Sequence, residues 1–514
     1  MYSVLGSILD TGRETISHNP LLFIGLSSVC YWFLLTKYTG QTSKLKHIAA
    51  AGSEMPVLSL LQAGAFLANG RKIITETFKK WDKSAFKFPD ITEWIVVVSD
   101  PQSIDELRKA PENVLSSMIA FDQSLQVKYT MGERVSKNPY HIPIVRAQLT
   151  RALPQLVPEV QDELEDAFKQ FIPPTDDWTS VKVVDTIMKV VGRASNRVFV
   201  GLPLCRDPDY IKLNVQFAVD VIQCGTILRI MPSFLRPLVN LLISNVSKRT
   251  DDAMKYLVPI FQARREERAN SPQAPRSPDI LNWLMDEAKE DELTDSALTT
   301  RLLTVNFAAI HTSSMAFSHA LYHLAASPEY LKPLREEVEE VVSEEGWTKA
   351  ALDKMVKIDS FLKETQRLHP LSSVMMNRVA VNDYHFSNGL FVPQGTTVAV
   401  AILPAHLNGD LYEDPKKFDP FRFVKMKQHE ETEAAAKRFD MTSTNCESLG
   451  FGHGRHACPG RYFAVSELKL MLAYVVTHYD VRCKEEGVRP EDMWIGMTCV
   501  PNPKGEVLFR KRQA

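Results

Sequence analysis

The apolar positions change rhythm along the chain. Leu21 to Thr36 (LLFIGLSSVCYWFLLT) is one uncharged, mostly apolar run, opened by Pro20 and closed by Lys37. It lies near the lower limit of ~17 residues for a membrane span. Tyr31, Trp32 and Phe33 crowd its end, Lys37, Lys44 and Lys46 follow, and only Arg13 precedes it, against Asp10 and Glu14. Aromatic residues at an interface and cations after it predict a transmembrane anchor over 21–37, with 1–20 lumenal, a linker over 38–56 and the bulk of the chain, 57–514, in the cytosol. A buried core helix is one alternative. A cleaved leader is the other, although the small-residue stretch Ala49-Ala50-Ala51 lies far past the apolar run.

Beyond the linker, Trp94 to Pro101 (WIVVVSDP) predicts a buried strand ended by an Asp-Pro turn. From about 155 to 300 the apolar residues recur at three- and four-residue steps, broken by FIPPTDD, GLPLCRDPD and SPQAPRSPD. These are helices between loops. From Thr294-Asp295 to Ser327 no Gly or Pro intervenes, which predicts a helix of about 48 Å at 1.5 Å per residue. Its stripe Leu302, Val305, Ala309, Thr312, Ala316, Ala320 is apolar and then small. Such a stripe is either a close helix-packing seam or the floor of a site for a flat cofactor. TTVAVAILPAH (396–406) predicts a strand pair or one bent strand, and EVLFRKR (506–512) a terminal strand. The fold class is mainly α with a smaller β portion.

Composition narrows the function. Sixty basic against 62 acidic residues give a net charge of −2 without one-sided runs, which disfavours nucleic acid as a partner. Hydrophobic residues make up 45% and charged residues 24%, the balance of a folded protein. The seven cysteines are few, odd in number and free of Cys-x-x-Cys pairs, so neither a disulfide scaffold nor structural zinc is signalled.

The chemistry concentrates in FGHGRHACPGRYFAVSELKLMLAYV, 451–475. Cys458 stands where a Gly-rich loop turns into a helix start, and free amides and the helix dipole there favour a thiolate. A buried, inert cysteine is the bland reading. The whole phrase resembles the cysteine-ligand loop of the cytochrome P-450 family, Phe-x-x-Gly-x-Arg-x-Cys-x-Gly. Phe451, Gly454, Cys458 and Gly460 match in register, and His456 replaces the arginine that binds a haem propionate. Glu364 and Arg367 resemble the family's Glu-x-x-Arg, Arg422 in FDPFRF its third charged member, and Arg378 a propionate-binding arginine. AAIHTS (308–313) resembles the distal-helix motif, with Thr312 on the proton-delivering threonine, His311 in place of the acid and Ala309 in place of a glycine.

The resemblance implies a cytochrome P-450 fold, one large catalytic domain behind the anchor, holding haem b on Cys458. It implies a monooxygenase of the endoplasmic reticulum membrane, taking electrons from NADPH through a separate flavoprotein reductase; the Gly-rich segment lacks a dinucleotide-binding order. A basic patch of Lys425, Lys427, Lys437, Arg438, Arg455 and Arg461 is the candidate docking face. The wording is similar to fungal secondary-metabolism members such as the diterpene (kaurene) oxidases, which implies a lipophilic, terpenoid-like substrate. The family would line its pocket from 116–130, 221–231, Val305, Ala309, Thr312, 373–376 and 497–499. An oxygen-independent isomerase or dehydratase, and a non-catalytic haem sensor, are the competing readings.

Overall fold

A computed structural model describes residues 20–81 and 85–513; the predicted lumenal segment therefore lies, but for Pro20, outside the described residues. The first helix, α1, runs Pro20–Lys44 and so continues seven residues past the predicted anchor. The linker expected over 38–56 is ordered instead, because its own apolar side chains find partners. Tyr38, Leu45 and Ile48 are buried, and Ala49–Ala50 (β1) pairs with Phe86–Lys87. Helix α2, Pro56–Trp81, follows and packs on α1.

A six-stranded sheet forms one side of the molecule. Its strands are β1, β2 (Phe86–Pro89), β3 (Trp94–Val98), β4 (Leu115–Ser116), β5 (Val374–Ala380) and β6 (Thr397–Ala401), in the order β1-β2-β3-β6-β5-β4. Every residue of β3 and β6 is buried, which suits their unbroken Val-rich runs. Asp100-Pro101, expected as a turn, starts a helix: the Asp100 carboxylate accepts from Ser103 N at 2.8 Å and Pro101 occupies the first turn. The 396–406 segment is strand only as far as Ala401 and then a short helix, Ile402–His406. A second sheet joins Tyr479–Cys483, Glu506–Lys511 and Thr179–Lys182, so the terminal strand forms as predicted.

The other side is helical. It comprises α3 (Ser117–Leu125), α4 (Thr150–Phe171), α5 (Val183–Phe199), α6 (Pro208–Ile230), α7 (Arg236–Ile243), α8 (Asp295–Ala326), α9 (Val356–Leu368) and α10 (Arg461–His478). The first two predicted breaks separate α4 from α5 and α5 from α6, the third separates two further helices, Val246–Asn270 and Ile280–Glu287, and Asp207 and Asp279 cap α6 and Ile280–Glu287. The long helix α8 is capped by Thr294, whose hydroxyl accepts from Ala297 N. It threads the core and packs on α5, α6, α9 and α10. Among the described residues α6 is the helix long and apolar enough to cross a bilayer, and half of that stretch is buried in the protein, as in a core helix.

Candidate active site

A cavity of 530 Å³ lies between α8 and the loop that carries Cys458. Val305, Ala309, Thr312 and Ala316 form one wall, while Leu302 and Ala320 of the same stripe are packed in the core. Thr312 Oγ1 donates to the Ala308 carbonyl at 2.8 Å, the back-bond of a helical threonine, and keeps its lone pairs free toward the cavity. His311 does not line the cavity. Its Nε2 meets the Val215 carbonyl of α6 at 3.2 Å, and burial pushes its imidazole below the ordinary range.

Opposite α8 the Cys458 loop is folded by its own backbone. Cys458 N donates to the Phe451 carbonyl at 2.8 Å. Gly454 holds a φ of +76°, and a Cβ there would meet Arg108 Cβ at 2.6 Å, so glycine answers both strain and space. Cys458 is the cysteine among the described residues that lines the cavity. Without a metal, burial pushes the Cys458 thiol up, against the pull of the Gly460 and Arg461 amides and the Arg461 charge. A bound metal ion would supply the charge that holds this sulfur as a thiolate.

The edge of the cavity is cationic. Arg378 is 3% exposed, and its Nε has no hydrogen-bond partner; Nη1 reaches only the Asn377 carbonyl at 2.9 Å. Burial pushes its guanidinium down to about 10, with Glu112 opposing. A bulge between Met375 and Arg378, with Met376 at a φ of +59°, brings Met375, Met376 and Arg378 to the cavity together. His456 is held at one nitrogen: Nδ1 lies 3.2 Å from Ser117 Oγ, whereas the buried Nε2, 3.2 Å from Glu112 Oε1 but out of line, has no hydrogen-bond partner. Glu112 in turn accepts from Ser116 Oγ at 2.6 Å and from Ser117 N at 3.1 Å.

Arg146 joins this edge through a feature that helical periodicity does not show. Residues Ile144–Leu149 form a π-helix, and Arg146 both lines the cavity and donates to the Arg455 carbonyl at 3.2 Å. A flat dianion with a metal at its centre fits these residues: a sulfur ligand on one face, small side chains on the other, and a buried guanidinium with an unused donor at the rim.

Behind the loop, Glu364, Arg367 and Arg422 form one buried cluster. Arg367 binds Glu364 through two 2.7 Å hydrogen bonds and Arg422 reaches Glu364 Oε1 at 3.1 Å. The remaining donors go to the His406, Pro415 and Lys417 carbonyls at 2.6 to 3.0 Å, so the charges are paired although all three residues are buried.

Other expectations fare differently. Val221 is core, and no residue of 221–231 or 497–499 lines the cavity among the described residues. Four of the six patch cations are paired: Lys425 with Asp419, Lys427 with Asp440, Lys437 with Glu433 and Arg438 with Glu430. His319 and His369 also border the cavity, stacked at 4.9 Å and both facing Asp492. The three are spaced as metal ligands, but the Arg489 guanidinium, 2.9 Å from Asp492, already supplies the positive charge. The group is a neutral hydrogen-bonded strut.

The family model for Cytochrome P450 matches residues 56–509. The chain is a cytochrome P450. The P450 is 41% identical over 478 residues to Cytochrome P450 monooxygenase 110 of Postia placenta, covering 92% of this chain and 95% of that one. It is 34% identical to Cytochrome P450 monooxygenase CYP512U6 of Ganoderma lucidum, covering 90% and 91%. Among solved structures it resembles retinoic acid bound cyanobacterial CYP120A1, with a TM-score of 0.65 at 20% identity over 87% of this chain and 95% of that one. The P450 is thus an oxidoreductase with fungal monooxygenase relatives, and its family uses a haem held by a cysteine, a redox partner and a small-molecule substrate.

Proposed function

We propose that this P450 is a membrane-attached monooxygenase that holds haem b through Cys458 and inserts one oxygen atom from dioxygen into a lipophilic substrate, a terpenoid or related intermediate of fungal secondary metabolism. The observation that carries the reading is Cys458 facing the small-residue wall of α8 across one cavity, with the unpaired Nε of Arg378 at its rim. When bound, the haem supplies dioxygen activation, which a thiolate ligand biases toward O–O cleavage. Cys458 fixes the metal, and Arg378 and Arg146 orient the propionate edge. Thr312 Oγ1 would accept a hydrogen bond from a water in the cavity and, on turning from Ala308, donate its own hydrogen there, holding that water in line for proton delivery. Phe121, Val305, Phe307 and Met375 keep water out and give an apolar substrate its surface.

Electrons come from an NADPH-dependent flavoprotein reductase. Arg151, Arg455 and Arg461 have no carboxylate partner among the described residues and form the cationic face beside the cysteine loop. Attachment to the endoplasmic reticulum is supported by α1, where Tyr31 and Trp32 are exposed, and by α7 with the two residues before it, where Phe234, Leu238, Leu241 and Leu242 are exposed. Cys30 Sγ touches Met231 Sδ at 3.4 Å, which joins the two surfaces. The test is the reduced, carbon monoxide-bound difference spectrum of the parent and of Cys458→Ala. A thiolate-type Soret shift in the parent alone is expected; its absence from haem-loaded, folded parent would overturn the reading.

A further inference from the structure

A second concavity, of 310 Å³, lies far from the reaction site, where the last turns of α1 meet the 394–396 turn before β6. Lys37, Gly40, Gln41 and Lys44 line it from one helix face, at steps of three, one and three residues, and Gln394 and Thr396 line it from the other side. Neither lysine has an ion pair or hydrogen bond among the described residues, and no carboxylate lines the groove. Gln41 accepts from Trp94 N at 2.9 Å through its carbonyl oxygen, which leaves its amide hydrogens to donate. Two ammonium groups and an amide donor, with no carboxylate in the groove itself and Glu93 and Asp90 behind Lys37, make a site for an anion.

Its depth says which anion. The apolar run ends at Thr36, so along the helix axis Lys37 and Lys44 stand about 1.5 and 12 Å beyond that end. The headgroup layer of a bilayer is about 5–7 Å thick on each side, so Lys37 lies within it and Lys44 about one helical turn beyond it. The exposed rings of Tyr31 and Trp32 lie one turn or more above, at the interfacial level. We propose that this groove takes the phosphate of an anionic phospholipid headgroup and seats the cytosolic end of α1 on it. The proposal rests on the membrane attachment argued above.

The test uses the full-length, haem-loaded protein and flotation with vesicles of neutral phosphatidylcholine, with and without phosphatidylserine. The parent is expected to float with both and to prefer the anionic vesicles. Lys37→Gln with Lys44→Gln should cut that preference about 30-fold. Gly40→Leu separates a groove from diffuse attraction. A Cβ at Gly40 meets nothing within 4 Å, so the added side chain fills the groove with both charges retained. It should lower the preference as the double variant does, while Lys72→Gln, outside the groove, should not. A Gly40→Leu protein with the parent's preference would overturn the proposal. So would inorganic phosphate abolishing the preference at matched ionic strength, which would assign the groove to free phosphate. Failure of the parent to float with either vesicle would instead overturn the attachment reading itself.

Discussion

Thr312 and His311 are neighbours in the chain but face different parts of the molecule, and their replacements should separate accordingly. Thr312→Ala is expected to leave the carbon monoxide spectrum intact while product formed per NADPH falls roughly 100-fold, the scale of a lost proton-transfer group. His311→Ala should hardly change that ratio, because the ring faces the Val215 carbonyl and not the cavity. It should instead lower stability by about 0.5–1.5 kcal/mol, the value of one hydrogen bond between α8 and α6, read from the denaturant midpoint. Arg378→Leu removes the unpaired buried donor and should speed haem transfer to a scavenger protein by about 10- to 100-fold, the range for hydrogen bonds to a charged group. At this scale the sequence speaks through short motifs: Cys458, Gly454 and Thr312 occupy the positions their spacing implies. Glu112, Ser117 and Arg146 carry no such signal, since they are distant in sequence from the loop they meet. The orientation of His311 is likewise set by α6, which no local pattern encodes.

Elements were legible where their own side chains decide them. Thr294, Asp207 and Asp279 cap helices because a short oxygen-bearing side chain there meets free amides, and the Val-rich β3 is buried along its whole length. The linker was misjudged because Tyr38, Leu45 and Ile48 are too sparse for a periodic signal, yet each fills a site made by the sheet and α2. The strand predicted through His406 stops at Ala401 because Ile402 and Leu403 turn their amides to the Ser373 carbonyl instead of extending the ladder. The Glu364 cluster binds irregular chain to α9 as firmly as a ladder would. Glu364→Ala leaves two buried guanidinium groups without a carboxylate, and a loss of about 3–5 kcal/mol is expected, seen as absent haem-loaded protein or a lower denaturant midpoint.

For the molecule as a whole, buried histidines set the response to acid. Burial pushes His141 and His406 down to about 4 and His369 down to about 3, against about 6.5 in the unfolded chain. The native state holds them neutral, so their stabilisation is complete above pH 6.5 and is lost as pH falls toward 4. Glu467, which accepts from Ser195 at 2.8 Å, works the other way: burial pushes it up to about 7, and its contribution is lost as pH rises toward that value. From these four groups the net loss between pH 6.5 and 5 is about 2 kcal/mol per pH unit, checked by thermal unfolding against pH; Glu467→Gln should steepen the acid fall and raise stability above pH 7. The broad architecture, helices on one side and a sheet on the other, followed from the rhythm of apolar residues, whereas the pairing of distant strands did not. The π-helix at Ile144–Leu149 has a meaning on another timescale. Such a turn holds one residue more than an α-helical turn, so it is the form an inserted residue takes when a helix absorbs it without unwinding. A chain lacking that residue would keep the fold and aim a different side chain at the cavity rim. Deleting one residue within Ile144–Leu149 would therefore take the cation of Arg146 off the rim by a change in length, with no substitution required.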